Sequence, residues 1–155
     1  MKLYHGSDVN IEKVELSKCS PFKDFGQGFY LTEDRPHANR MAVRRADYSN
    51  STPVVNVYEF DENSLSDGSL KVKIFDTYSV EWAQYVFKNR KGEQVEKFDV
   101  VYGPVADDKV GVQIRLFIEG YISIEAFLER IKLEGGDLNF WKSNFRFFCL
   151  LQKIL

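Results

Sequence analysis

The chain has 155 residues, 44% hydrophobic and 28% charged, with 15% aromatics and a formal net charge of −2. That size and balance fit one domain with a buried core. The near-neutral charge gives no electrostatic reason to expect a nucleic-acid or membrane-surface partner. Two cysteines, Cys19 and Cys149, and two histidines, His5 and His37, are too few for a disulfide framework or a zinc site, so no metal is expected. The N-terminal residues lack an apolar signal region, and no stretch is long enough to span a bilayer. The expectation is a soluble, cytoplasmic protein with reduced thiols.

In chain order, Lys2 to His5 reads as a short strand ended by Gly6 and Ser7. Val9 to Phe22 is irregular, with apolar residues at no sustained period. Gly26 and Gly28 precede a strand over Phe29 to Thr32. Asp34 or Thr32 can cap a helix with Pro36 in its first turn, running to about Tyr48 with Ala38, Met41, Ala42 and Ala46 on one face. Val54 to Phe60 alternates as a strand, Asp61 to Ser69 is a turn or loop, and Leu70 to Phe75 is a further strand. Ser79 caps a helix whose inner stripe is Trp82, Tyr85, Val86 and Asn89. Phe98 to Val101 is a short apolar strand. Asp107 or Asp108 caps a helix carrying Val110, Ile114 and Phe117, which Gly120 stops. Ser123 caps another with Ile124, Phe127, Leu128 and Ile131 inward, and Gly135-Gly136 breaks the chain. Strands and helices mix without regular β-α-β alternation, which predicts an α+β fold. The tail, 137–155, is very apolar and has no clean period. It packs as a last strand and helix, or it is exposed as an interface.

Several residues admit two readings. His5 at a strand end is either a polar residue bonded to backbone or a ligand-binding group, with Gly6 beside it allowing close approach of a ligand to the main chain. Tyr30 is either a core aromatic or a stacking platform for a flat heterocycle. Gly26 and Gly28 suit a tight ligand approach and a plain turn equally, and they do not form a dinucleotide-binding Gly-x-Gly-x-x-Gly. Asp107-Asp108 reads as a helix cap with a first-turn acid rather than as a catalytic pair.

Leu3-Tyr4-His5-Gly6-Ser7 resembles the first motif of the His-Tyr-Glu branch of ADP-ribosyltransferases, the diphtheria-toxin and poly(ADP-ribose)-polymerase-like group. Gly26-Gln27-Gly28-Phe29-Tyr30-Leu31-Thr32, followed by an Ala-containing helix, resembles the second. The chain is more closely similar to a bacterial family of unknown function within that superfamily. The matching pieces are Tyr4 to Ser7, Asp24 to Thr32, Tyr58 to Asp61, Asn89 to Gly92 and Gly103 to Asp108.

The resemblance implies an ADP-ribosyltransferase-like split β-sheet with flanking helices, binding NAD as substrate. It implies that His5 bonds the adenine-side ribose, that the Gly6 backbone holds the nicotinamide carboxamide, and that Tyr30 stacks on the nicotinamide ring. Ser7, Gly28 and Thr32 belong to the same motifs and are expected to line the NAD site. Met41 or Ala42 falls near a second stacking position, and Met41 is taken as the binding residue. His5 and Tyr30 are thus the candidate catalytic residues. The expected activity is mono-ADP-ribosyl transfer to a macromolecular acceptor, toxin-like, with an antitoxin-like protein as a partner. The alternative is a catalytically silent nucleotide-binding or protein-interaction module. RNA modification or binding is a third reading, which the net charge does not encourage.

The third motif of the superfamily, a Glu or other polar residue at the start of a late strand, has no counterpart. No Glu follows Glu134, and the only Gln beyond it is Gln152. The resemblance to the bacterial family implies an Asn-Gln-Ile-Ser-like strand soon after Gly135-Gly136, and codons can be chosen for Trp141 to Cys149 that give it when read in a shifted frame. The tail is therefore read as frameshifted relative to its relatives, with the pocket wall intact and transfer weak or absent.

Overall fold

The computed structural model describes residues 1–134 and 146–150. Among them, six strands and four helices form a mixed α+β arrangement with two sheets. Strand β1 (Lys2–Ser7) pairs antiparallel with β3 (Val54–Glu59), placing His5 opposite Asn56 and Gly6 opposite Val55. The second sheet has the order β2 (Phe29–Leu31), β6 (Arg146–Leu150), β5 (Val100–Pro104), β4 (Val72–Ile74). β6 runs antiparallel to both neighbours, and β4 and β5 are parallel.

The two sheets meet at one bridge. Tyr4 N donates to Thr32 O at 2.8 Å, and Thr32 N donates to Tyr4 O at 3.0 Å. Beyond it β1 and β2 part. Backbone polar groups alternate sides along a strand. Tyr4 sends both of its groups to Thr32, so Gly6, two residues on, presents its N–H and C=O to that same side, where the strands have separated.

Helix α1 (Arg35–Ser49) follows β2 and lies on β1. Thr32 Oγ1 accepts from Asp34 N at 3.1 Å, whereas the Asp34 side chain, at the N-cap, makes no capping bond. The helix ends at Asn50 in a left-handed conformation. Ala38, Ala42 and Ala46 form its buried stripe together with His37. These side chains are small enough for the helix backbone to reach the strand. Met41 does not share the buried face expected for it. It is 37% exposed, at the edge of the helix.

Helix α2 (Val80–Lys91) is capped by Ser79, whose hydroxyl accepts from Trp82 N at 3.1 Å, and it ends at Gly92 with φ +71°. Helix α3 (Asp108–Ile118) is capped by Asp107, which accepts from Val110 N at 2.8 Å. Ser123 does the same for Ala126 N at the start of α4 (Ile124–Glu134). Each cap satisfies an N–H that the helix cannot. The sheet alternation then divides the core. Val101 and Cys149 face Trp82, Val86, Ile114 and Phe127, whereas Val100, Phe148 and Leu150 face Leu3, Phe29 and Leu31.

Several expected boundaries move. The strand expected at Leu70 to Phe75 is confined to Val72–Ile74, and that expected at Phe98 to Val101 starts later, at Val100, and runs through Pro104. Short 3₁₀ turns occupy Leu16–Lys18, in the stretch read as irregular, and Glu62–Leu65, in the stretch read as a turn or loop. In the tail, Arg146–Leu150 is a strand between β2 and β5, as the packed alternative expects of its strand, while the helix of that alternative lies outside the described residues. The Gly135-Gly136 break, the rest of the tail and most of the segment read as frameshifted lie outside the described residues. Among the described residues both cysteines are free, and no helix is long and apolar enough to cross a membrane.

Candidate functional site

A cleft of about 770 Å³ opens where β1 and β2 part, bounded by the connection that joins them and by the edge of α1. Its volume lies within the range of about 300–1,000 Å³ usual for small-molecule sites. Six of the seven expected binding residues, His5, Gly6, Ser7, Gly28, Tyr30 and Met41, line it. Thr32 does not. It is buried, with its hydroxyl committed to Asp34 N.

His5 spans the split between the sheets. Its Nδ1 lies 2.8 Å from the Tyr30 carbonyl oxygen, which can only accept, so Nδ1 carries the proton. The ring stacks on Phe29 with centroids 4.4 Å apart. Burial holds the imidazole pKa below its ordinary value, the hydrogen bond to Tyr30 opposes this, and the nearby Arg45 charge adds to it. His5 is therefore neutral at pH 7. Its Nε2, with a lone pair and no hydrogen bond to the described residues, is an acceptor.

Tyr30 is anchored at its far end. Its hydroxyl accepts from Phe25 N at 2.9 Å and donates to Gly26 O at 3.0 Å. Burial pushes the phenol pKa far upward, so it stays protonated. Its ring lies parallel to that of Phe25. The side chain thus braces the glycine turn while lining the cleft.

The glycines take different roles from those expected. A Cβ on Gly6 would lie 2.0 Å from Ala38 O and 2.6 Å from Ala42 N, so its missing side chain makes room for α1 and not for a ligand. Only its backbone is directed to the opening. Gly26 has φ +89° and backs onto Asn89 Oδ1, 2.9 Å from where a Cβ would stand. The turn itself requires it. Gly28 remains a cleft residue. Ser7 is buried, with its hydroxyl donating to Asp8 Oδ1 at 3.3 Å and accepting from Val9 N at 3.4 Å.

Three further residues hold the cleft together without having been assigned a role from sequence. Asp24, 5% exposed, accepts from Arg90 Nε at 2.7 Å and Arg90 Nη2 at 2.6 Å on Oδ1, and from Ala106 N at 2.7 Å on Oδ2. This joins the glycine turn to the end of α2 and to the segment after β5. Both partners sit in motif pieces quoted above, the Asp that opens Asp24 to Thr32 and the Arg of Asn89 to Gly92. Buried Asn56 grips the connection after β1, with Oδ1 accepting from Ile11 N at 2.7 Å and Nδ2 donating to Val9 O at 3.1 Å. A polar residue at an inward strand position was the available signal.

The arrangement offers a neutral acceptor at His5, a fixed aromatic at Tyr30 and, at Gly6, a strand that pairs with β3 but not with β2 among the described residues. Phe147 of β6 also lines the cleft. Among the described residues, no group of three or more His, Cys, Asp or Glu could hold a metal ion.

No curated protein and no solved structure matches the chain. A protein family described as a protein of unknown function, DUF3990, matches residues 1–138, which run from β1 through α4 and stop ahead of β6. The chain belongs to the DUF3990 family.

Proposed function

We propose that the cleft binds NAD and that the chain transfers its ADP-ribose to a macromolecular acceptor. The observation that carries this reading is the His5 Nδ1–Tyr30 O hydrogen bond, which brings the two residues of the sequence resemblance to one cleft. In this reading His5 Nε2 accepts from a ribose hydroxyl. The Gly6 N–H and C=O offer the donor and acceptor that a planar carboxamide matches, and Tyr30 packs on the nicotinamide ring. The bond from ribose C1′ to the nicotinamide nitrogen breaks, and nicotinamide leaves with the electron pair. An acceptor nucleophile then bonds C1′ and loses its proton to solvent. Such a step depends on holding an oxocarbenium-like centre in a fixed orientation more than on a strong base.

One observation favours a second reading, binding without transfer. β6 begins Arg146-Phe147 and contains no carboxylate, and Phe147 lines the cleft. The family match ends before this strand, which supports a tail that departs from its relatives. Incubation with labelled NAD and cell lysate, beside His5→Ala and Tyr30→Ala variants, tests the proposal. Label on a macromolecule that both variants lose supports transfer. NAD binding with no label transferred supports the second reading. Equal labelling by all three proteins refutes the site assignment.

A further inference from the structure

The protein as a whole is slightly acidic, with a net charge of −2, but the cleft is not. Among the described residues lining it, three carboxylates, Glu12, Glu15 and Asp24, stand against five cations, with Lys18 paired to Glu15 and Arg90 to Asp24. Three other cations, Lys13, Lys23 and Arg45, have no carboxylate of the described residues within ion-pair distance. Arg45 lies one helical turn beyond Met41 on α1, and four-residue spacing places both on one face. It is near enough to His5 for its charge to depress the imidazole, and its field also reaches Asp8, which lies outside the cleft. Lys13 and Lys23 come from the connection between β1 and β2. The three cations therefore converge on one concavity from two separate parts of the chain. Like charges gathered in a cleft repel one another unless an anion joins them, and such a cleft concentrates anionic ligands.

We propose that Arg45, Lys13 and Lys23 form a phosphate-holding rim, so that the cleft selects ligands carrying two linked phosphates. This deepens the NAD reading and rests on it only for the rest of the ligand. Arg45 supplies a planar fork suited to two phosphate oxygens, and the lysines supply mobile point charges. A dinucleotide's diphosphate and inorganic pyrophosphate share this chemistry, and the experiment separates them.

The test is calorimetric titration of the full chain with NAD, inorganic pyrophosphate and nicotinamide riboside, which has no phosphate. Wild type is compared with Arg45→Gln and with Lys13→Gln/Lys23→Gln. The expected result is that each variant weakens NAD and pyrophosphate by about tenfold or more while leaving nicotinamide riboside unchanged. Pyrophosphate affinity of the wild type should also fall as ionic strength rises. NAD binding that is equal in all three proteins overturns the rim and leaves the NAD reading standing. Pyrophosphate binding that the variants lose, with no NAD binding, upholds the rim and refutes the NAD reading. Failure of the wild type to bind either phosphate-bearing probe overturns both. These side chains make no ion pair with the described residues, and neutralising them relieves mutual repulsion, so unfolding temperatures should not fall below wild type, and the salt dependence tests the rim without any variant.

Discussion

His5 Nδ1 stands 2.8 Å from the carbonyl oxygen of Tyr30, joining β1 to β2 where their backbones no longer pair. The bond fixes which ring nitrogen carries the proton, and burial keeps the ring neutral. A histidine whose folded pKa lies below its unfolded value of 6.5 binds fewer protons in the native state than when unfolded. Its stabilising contribution is complete above the unfolded pKa and is lost as pH falls through the folded one. His37 on α1 is depressed as well, first by burial and then by Arg40. Unfolding temperature should therefore decline below about pH 6.5, with at most about 1.4 kcal/mol per pH unit from each histidine. His5→Gln should make the decline shallower. A profile that His5→Gln leaves unchanged would contradict the assignment.

Buried Asp24 and half-buried Arg90 are a pair in which Asp24 also holds the segment after β5. Removing one member of such a pair leaves an uncompensated charge and costs about 3–5 kcal/mol. Arg90→Ala strands the Asp24 carboxylate with Ala106 N alone and should lie in that range, discounted for the partial exposure of the arginine. Urea denaturation should show the double variant Asp24→Ala/Arg90→Ala costing less than the sum of the single ones. Strict additivity would mean that the two side chains do not act as a unit.

Gly6 and Gly111 make opposite predictions from the same substitution. Alanine at Gly6 would drive a Cβ into the α1 backbone at 2.0 Å, so Gly6→Ala should separate α1 from β1 and cost about 3 kcal/mol or more. Gly111 lies inside α3 with nothing among the described residues within 4 Å of its Cβ position. Gly111→Ala should stabilise by about 0.5–1 kcal/mol through helix propensity alone. Thermal denaturation of the two variants reads both signs. A neutral Gly6→Ala would show that α1 does not rest on β1 as described.

Asn56 ties down the connection that walls the cleft. Asn56→Ala leaves Val9 O and Ile11 N without their partners, at a cost of about 1–3 kcal/mol for each group that stays buried. Tyr58→Phe, which loses only the 2.8 Å bond to Ile11 O, should cost about 1 kcal/mol. Limited trypsin digestion should cut at Lys13 and Lys18 faster in Asn56→Ala than in wild type. Unchanged cleavage there would separate Asn56 from the cleft wall.

What could be read in the sequence followed the range of the interactions involved. The caps at Ser79, Asp107 and Ser123 were legible because a cap and the N–H it serves lie three residues apart. The alanine stripe of α1 was legible as a period, but Met41 was misplaced because a period marks a face without marking its edge. β6 was not resolved, because a strand between two others is buried on both faces and Phe147 to Leu150 shows no alternation. The Asp24–Arg90 pair is 66 residues apart in sequence, beyond any local pattern. At the cleft, His5 and Tyr30 stood out through their glycine-flanked motifs, while the reason for Gly6 emerged only when α1 was seen lying against it.

We propose the cleft between β1 and β2 as an NAD site built on His5 and Tyr30. Calorimetric titration of NAD into wild type and His5→Ala tests it most directly. The expected result is saturable binding to the wild type, weakened by about tenfold or more in His5→Ala as the ribose contact and the link to Tyr30 are lost together. No binding to the wild type, or equal binding by both proteins, would contradict it.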